Sequence, residues 1–132
     1  MHREFFYNLF ENLKLENFSI LPGSESKLLK GLELGCSGII TATCNATAEL
    51  ARKVYDDFIA QNDQTVNQKL CDVRSSFEKY NLISGLHTYF GKYNQSYMNV
   101  LPPLNTLNSL DENELIKNLE KLNFSIKSLM AA

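Results

Sequence analysis

Three cysteines and two histidines are the residues best able to act as nucleophiles or metal ligands, namely Cys36, Cys44, Cys71, His2 and His87. The cysteines are odd in number and include no Cys-x-x-Cys pair, which is typical of reduced thiols in a cytosolic protein. A metal site needs three or four ligands that converge, and these residues are too scattered to provide them. We therefore expect no metal site, no cofactor and no catalytic residue of these types.

Polar residues are grouped more closely in the stretch Gly23, Ser24, Glu25 and Ser26, which follows the apolar run ending at Leu21. Glycine is a common turn residue, serine can cap a helix, and an acid is favourable in the first helical turn. The same residues could also line a pocket at the end of a strand. The residues alone leave both interpretations open.

The first half of the chain alternates between helices and strands. The pattern of apolar residues predicts a helix over 3 to 14, a strand over 17 to 21, a helix that begins at Ser24 and ends near Gly35, a strand over 38 to 43, and a helix capped by Thr47. The connections are only a few residues long. This order is typical of parallel strands with crossover helices.

The second half is predicted to be helical. Apolar spacing indicates helices over 66 to 80 and 82 to 93, an extended connection over 101 to 104 because of its two prolines, and a last helix opened by a capping box of Ser109 and Glu112. We therefore divide the chain into two parts, residues 1–62 and a C-terminal helical region, residues 63–132.

Two strands cannot form a stable parallel sheet by themselves, because both faces and both edges need partners. A (β/α)8 barrel usually has about 250 residues, so 132 residues are roughly half of one. The predicted fold class is α/β: the last two βα units of a TIM barrel, which are the C-terminal part of that barrel, followed by a C-terminal helical extension.

Charge and hydropathy exclude several classes of partner. The net charge is -2, with 44% hydrophobic and 21% charged residues, so nothing favours binding to nucleic acid or to an anionic membrane. No run of about 18 apolar residues could span a membrane, and the N-terminus has no apolar signal region. We expect a cytoplasmic protein.

An ordered pattern extends from Leu21 to Asn45, with Gly23, Leu34, Gly35, Gly38, Ile39, Ile40 and Asn45 in register. It resembles the seventh and eighth strands of the dihydrodipicolinate synthase / N-acetylneuraminate lyase family. Val100–Leu104 is similar to the C-terminal segment of that family, so the resemblance covers nearly the whole chain. The resemblance implies reversible aldol chemistry on pyruvate or another 2-keto acid, in an enzyme that is a homo-oligomer, a tetramer in the intact family.

The family's catalytic lysine forms a Schiff base from the sixth strand, and a tyrosine on an earlier strand relays protons. By register both strands would precede Met1, and Lys14, Lys27 and Lys30 are expected to be solvated, whereas a catalytic amine needs a desolvated pocket. The resemblance therefore implies a fragment that contains no catalytic residue and is inactive alone.

The resemblance also implies which residues line the pocket. Gly23, Ser24 and Glu25 would lie at its mouth, the backbone of Ile40 would lie beside the imine, and Thr41 replaces a serine or glycine of many relatives. The plainer roles are a turn glycine, helix capping and barrel core. Departures from the family at other positions leave the subfamily and the aldol substrate unassigned.

A second hypothesis comes from the helical region. The amphipathic helices between 63 and 124 could form a non-catalytic helical interaction module, since exposed apolar stripes often mark partner surfaces. In either case, strands without sheet partners predict a marginally stable chain that tends to associate.

Overall fold

The computed structural model describes residues 4, 8, 12 and 17–126. Within them the chain forms α1 (Leu28–Glu33), α2 (Cys44–Ile59), α3 (Asn67–Glu78), α4 (Leu82–Gly91) and α5 (Ser109–Lys121), with 3-10 turns at Glu25–Lys27 and Gln95–Met98. The predicted helix over 3 to 14 lies outside the described residues, apart from Glu4, Asn8 and Asn12, which are helical. No helix in the described part of the chain is long and apolar enough to cross a membrane.

The two predicted strands, 17 to 21 and 38 to 43, are not formed as strands in the described residues. Instead a first segment, residues 18–22, and a second segment, residues 36–41, run side by side. The Ser37 N–H donates to Ile20 O (3.1 Å) and the Ile40 N–H donates to Pro22 O (3.1 Å).

These two bonds advance by two residues on the first segment and by three on the second. The segments therefore run parallel, as predicted, but they lose register between the two bonds. A pair of strands without further partners is at best marginally stable, which explains why the α/β order is present while a regular ladder is not.

Helix α1 ends at a glycine, as the sequence predicts. Gly35 has a φ of 95°, and the Cys36 N–H donates to Gly31 O (2.8 Å) while the Gly35 N–H donates to Leu32 O (3.0 Å). These are the two bonds of a Schellman motif, which requires a left-handed residue after the helix. The motif turns the chain back beside the first segment.

The helix starts differ from the predicted caps. Thr43, not Thr47, precedes α2, and Thr47 is buried within the first turn of that helix. The Asn108 side chain, not that of Ser109, accepts hydrogen bonds from the backbone at the start of α5. Asparagine is one of the strongest N-cap residues, so it takes the position that the capping-box pattern assigned to its neighbour.

Helix α3 lies between two apolar clusters. Its Leu70 packs with α1 and α2 around Leu28 and Val54, and its Phe77 packs with α4 and α5 around residues that include Leu115. Helix α2 also contributes to both clusters, through Ala46 and Val54. A displacement of α3 would therefore disturb both clusters.

Candidate functional site

The five residues assigned to the pocket come together where the two segments end. A Cβ built on Gly23 would lie 3.9 Å from Ile40 O, and the Thr41 hydroxyl lies 2.8 Å from a Glu25 carboxylate oxygen. Gly23 is exposed, and Ser24 and Thr41 are partly buried. The structure thus brings the five residues to one place, with Glu25 as the one fully buried member.

Ile39 and Ile40 lie in opposite environments although they are adjacent. Ile39 packs against the cluster of α1, α2 and α3, while Ile40 is 71% exposed. In the first segment Leu21 is likewise exposed and the adjacent Pro22 is buried. Successive residues of an extended chain point to opposite sides, so one side of the segments contacts the helices and the other side is open.

The Glu25 carboxylate is buried at the centre of a group of hydroxyls. Its Oε1 atom accepts hydrogen bonds from the hydroxyls of Thr41 (2.8 Å), Thr43 and Thr47 (2.9 Å). The Thr41 hydroxyl also accepts a bond from the Cys44 N–H (3.0 Å) at the start of α2. The Thr41 hydroxyl is therefore fully engaged within the protein.

Arg74 of α3 supplies the positive charge that faces this carboxylate. Its Nη1 atom lies 3.2 Å from Glu25 Oε2 and donates to the Thr43 hydroxyl (2.9 Å), while its Nε atom donates to Glu78 (2.6 Å). We call Glu25, Thr41, Thr43, Thr47 and Arg74 the Glu25 network. A buried carboxylate is tolerated when its charge is paired and its lone pairs are hydrogen-bonded, and this network meets both conditions.

The network determines the charge state of Glu25. Burial on its own would raise the pKa of Glu25, but hydrogen bonds from Thr43, Thr41 and Thr47 favour the ionised form and hold the pKa below its usual 4.5. Glu25 is therefore ionised at neutral pH and acts only as an acceptor.

The lysines and cysteines show no feature of an activated nucleophile. No lysine in the described part of the chain is buried, and Lys30 is paired with Glu33 on the surface of α1 (2.7 Å). Lys14 lies outside the described residues. The three cysteines are free, and burial raises the pKa of each thiol, which keeps them protonated.

No group of His, Cys, Asp and Glu residues in the described part of the chain could hold a metal ion. A separate open cleft of about 350 Å³ lies between the start of α2 and α4. Its lining includes Ala42, His87 and Tyr97, and His87 Nδ1 is bonded to the Tyr97 carbonyl (2.5 Å). Ala42 directly follows Thr41, so the cleft adjoins the end of the second segment.

The sequence analysis did not identify Arg74, Thr43 or Thr47 as site residues, and it assigned Thr47 to a helix cap. Arg74 lies four residues after Leu70 and three before Phe77, which places a charge on the apolar face of its helix. A charge at such a position requires a buried partner. That signal indicates an acid elsewhere in the fold, although only the structure identifies it as Glu25.

Comparison with known proteins assigns the family. The model of the dihydrodipicolinate synthetase family matches residues 6–122, so the chain belongs to that family. No curated protein matches the chain.

Solved structures show the same fold at low sequence identity. A dihydrodipicolinate synthase from Bacillus anthracis has a TM-score of 0.76 and 17% identity, over 86% of this chain and 41% of that one. The enzyme from Agrobacterium tumefaciens has a TM-score of 0.68 and 18% identity, over 88% and 38%. A prophage protein of the same family from E. coli K12, solved with pyruvate, has a TM-score of 0.63 and 19% identity, over 82% and 38%. The chain therefore spans about two fifths of the length of these relatives.

Proposed function

We propose that this chain contributes the last two βα units and the C-terminal helices to a Schiff-base aldolase or lyase that acts on pyruvate or a related 2-keto acid. The 132 residues provide one wall of the pocket. The lysine that forms the Schiff base and the proton-relaying tyrosine come from strands outside this sequence. The chain alone is therefore inactive in the aldol reaction. The proposal also includes a reaction without a metal or cofactor, and a cytoplasmic location.

The observation that supports this proposal is the contrast between Ile39 and Ile40. One faces a helical layer and the other is 71% exposed. In a (β/α)8 barrel each strand has one side against the outer helices and one side in the packed interior. The exposed side of the two segments matches the interior side of a barrel whose other strands are supplied from elsewhere.

In that barrel the pocket lies at the C-terminal ends of the strands. Gly23 and Thr41 occupy those ends, and the absence of a side chain at Gly23 lets a small substrate approach the backbone. Ser24 keeps its hydroxyl near the surface, where it bonds to Ser26 (2.9 Å). Gly23, Ser24, Ile40 and Thr41 then form the wall that faces the keto acid, and the Glu25 network lies directly behind it.

Borohydride trapping tests the proposal. The purified chain is incubated with pyruvate and sodium borohydride, and its intact mass is measured. We expect no adduct, because no lysine in the described part of the chain is buried and a Schiff-base amine needs a desolvated pocket. The chain is then refolded with a separately produced first portion of a dihydrodipicolinate synthase that ends after the sixth strand, and we expect one reduced pyruvate on that portion.

The matched controls are the first portion alone and a mixture in which the Schiff-base lysine of the first portion is replaced by methionine. A single adduct on the isolated chain would contradict the placement of the Schiff-base lysine outside it. Failure of the two portions to associate, with both soluble, would contradict the barrel proposal itself.

A second candidate function is a helical interaction module. Leu101 and Leu110 are 83% and 82% exposed, and exposed apolar side chains of this kind are candidates for contacts with a partner or another subunit. The two candidate functions predict different outcomes for association in the refolding experiment. An interaction module would bind a partner through this surface and would not associate with the strands of a barrel, whereas a barrel portion would use it for contacts between subunits of a homo-oligomer.

A further inference from the structure

The Glu25 network joins parts of the chain that are far apart in sequence. Glu25 lies three residues after the end of the first segment, and Arg74 lies 49 residues later on α3. Thr41 ends the second segment, Thr43 directly precedes α2, and Thr47 is in α2. The carboxylate therefore ties the end of the first segment to the end of the second segment, to α2 and to α3.

Arg74 is held on both sides, which makes it a rigid anchor. Its Nε atom donates to Glu78 one turn further along α3, and its Nη1 atom donates to Glu25 and Thr43. Its side chain is 9% exposed. A guanidinium with several fixed bonds has lost its freedom to reorient, so the position of α3 sets the position of the carboxylate.

The carboxylate in turn orients the end of the second segment. The Thr41 hydroxyl has one hydrogen, and it is donated to Glu25, while the oxygen accepts from the Cys44 N–H. Rotation of Thr41 would break both bonds. Ile40, which precedes it, has no comparable restraint on its exposed side chain. Its backbone is restrained by its bond to Pro22 and by its neighbours Thr41 and Ile39, of which Ile39 packs against the helices.

We propose that Arg74 and Glu25 are positioning residues for the proposed pyruvate wall, so that the C-terminal helical region holds Ile40 and Thr41 in place through one buried ion pair. This inference rests on the proposed function for the identity of the wall. It changes the role of Glu25, which is not a contact to the substrate tail but the acceptor that aligns the wall. It also makes α3 a required part of the pocket.

Hydrogen–deuterium exchange on the whole chain tests the proposal. The variants are Arg74→Met, Arg74→Lys, Glu25→Gln and the double variant Glu25→Gln/Arg74→Met. Exchange is compared between a peptide over residues 36–47 and a peptide over residues 82–93 in α4. The control is Lys79→Met, which removes the same charge from an exposed pair with Glu114 (3.0 Å) just beyond α3.

We expect Arg74→Met to speed exchange over 36–47 by about tenfold or more, since breaking one partner of a buried ion pair has a large energetic effect. Exchange over residues 82–93 should speed up less in this variant, and Lys79→Met should leave the exchange rates of both peptides unchanged. Arg74→Lys keeps the charge and should restore part of the protection. Exchange over 36–47 in the double variant should be no faster than in the more affected single variant, because the two substitutions remove the same interaction.

A second readout reports the charge directly. The side-chain carboxyl of Glu25 is followed by 13C NMR as the pH is lowered, and its midpoint should rise more in Arg74→Met than in Arg74→Lys, because only the lysine variant keeps a cation near the carboxylate. The other titratable groups that face Glu25 are the thiols of Cys44 and Cys71, which stay protonated throughout this range.

Unchanged exchange over 36–47 in both Arg74 variants would overturn the proposal. Equal increases in both peptides, or additive effects in the double variant, would also overturn it, since they would show general loosening. If Arg74→Met does not fold, Arg74→Lys and Glu25→Gln give the same comparison. No pyruvate is present, so these results are independent of the trapping experiment on the barrel.

Discussion

Glu25 shows how a surface-type residue can become the centre of a core. Its position after Gly23 suggests a solvated turn, yet its carboxylate is fully buried and bonded to three threonine hydroxyls. The charge is retained because the hydrogen bonds and Arg74 favour the ionised form. The stability that Glu25 contributes should therefore depend on pH.

We expect Glu25→Gln to lower the free energy of unfolding at neutral pH by about 3 kcal/mol, because Arg74 loses a charged partner in a buried site. The folded pKa of Glu25 is below its usual 4.5, so the unfolded chain binds more protons and the wild-type stability falls as the pH drops through that range. The difference between the two proteins should shrink on acidification. Urea unfolding at a series of pH values measures it, and a constant difference would contradict the assignment.

Sequence reasoning at the residue scale grouped residues that lie close together in the structure, but it did not predict the contacts between them. Gly23, Ser24, Glu25, Ile40 and Thr41 were grouped by a family resemblance, and they do lie together. Their roles towards substrate stay predictions. The burial of Glu25 could not be predicted, because it depends on a cation that is distant in sequence and reaches it only when α3 packs against α1 and α2.

At the scale of the helices, the order and the approximate positions of the helices could be predicted from the sequence, but the exact capping residues could not. The helices over 66 to 80 and 82 to 93 correspond to α3 and α4, because apolar spacing directly reflects the buried face. Capping depends on which side chain reaches the free N–H groups, so adjacent candidates such as Asn108 and Ser109 compete. The two predicted strands are instead parallel segments without a regular ladder, since regular strands need neighbours that these residues do not supply.

The cap of α5 provides a matched pair of variants. The Asn108 side chain accepts from the N–H groups of Leu110 and Asp111 (3.0 Å each). We expect Asn108→Ala to destabilise the chain by about 1 kcal/mol, while Ser109→Ala leaves stability nearly unchanged. Thermal unfolding of the two variants checks this. A larger loss of stability in Ser109→Ala than in Asn108→Ala would support the capping-box prediction instead.

Two glycines should respond in opposite directions to alanine. A Cβ on Gly85 in α4 would lie 3.5 Å from Phe77, an ordinary contact, so Gly85→Ala should stabilise by about 0.5–1 kcal/mol through helix propensity. Gly38 has a φ of 151°, which side chains avoid, so Gly38→Ala should cost about 1–3 kcal/mol. Denaturant midpoints give both values, and a gain for Gly38→Ala would show that the second segment has relaxed to another backbone conformation.

At the scale of the whole molecule, the open side of the two segments should control association. Ile40→Ser should reduce self-association in sedimentation velocity and change stability by less than about 0.5 kcal/mol, because the side chain is mostly exposed. Ile39→Ser should instead lower stability by about 1–2 kcal/mol, because Ile39 packs against the helices. If Ile40→Ser leaves self-association unchanged, the chains associate through another surface, such as that of Leu101.

The distance in sequence between Glu25 and Arg74 also sets an order of events during synthesis. Domains fold from the N-terminal side as the chain emerges from the ribosome, so Glu25 and its threonines are made well before their cation. Until α3 has emerged, the carboxylate and its threonines lack the cation that faces them in the folded chain. A nascent chain stalled before Arg74 should therefore leave the end of the second segment more open to solvent and to chaperones than the finished chain does.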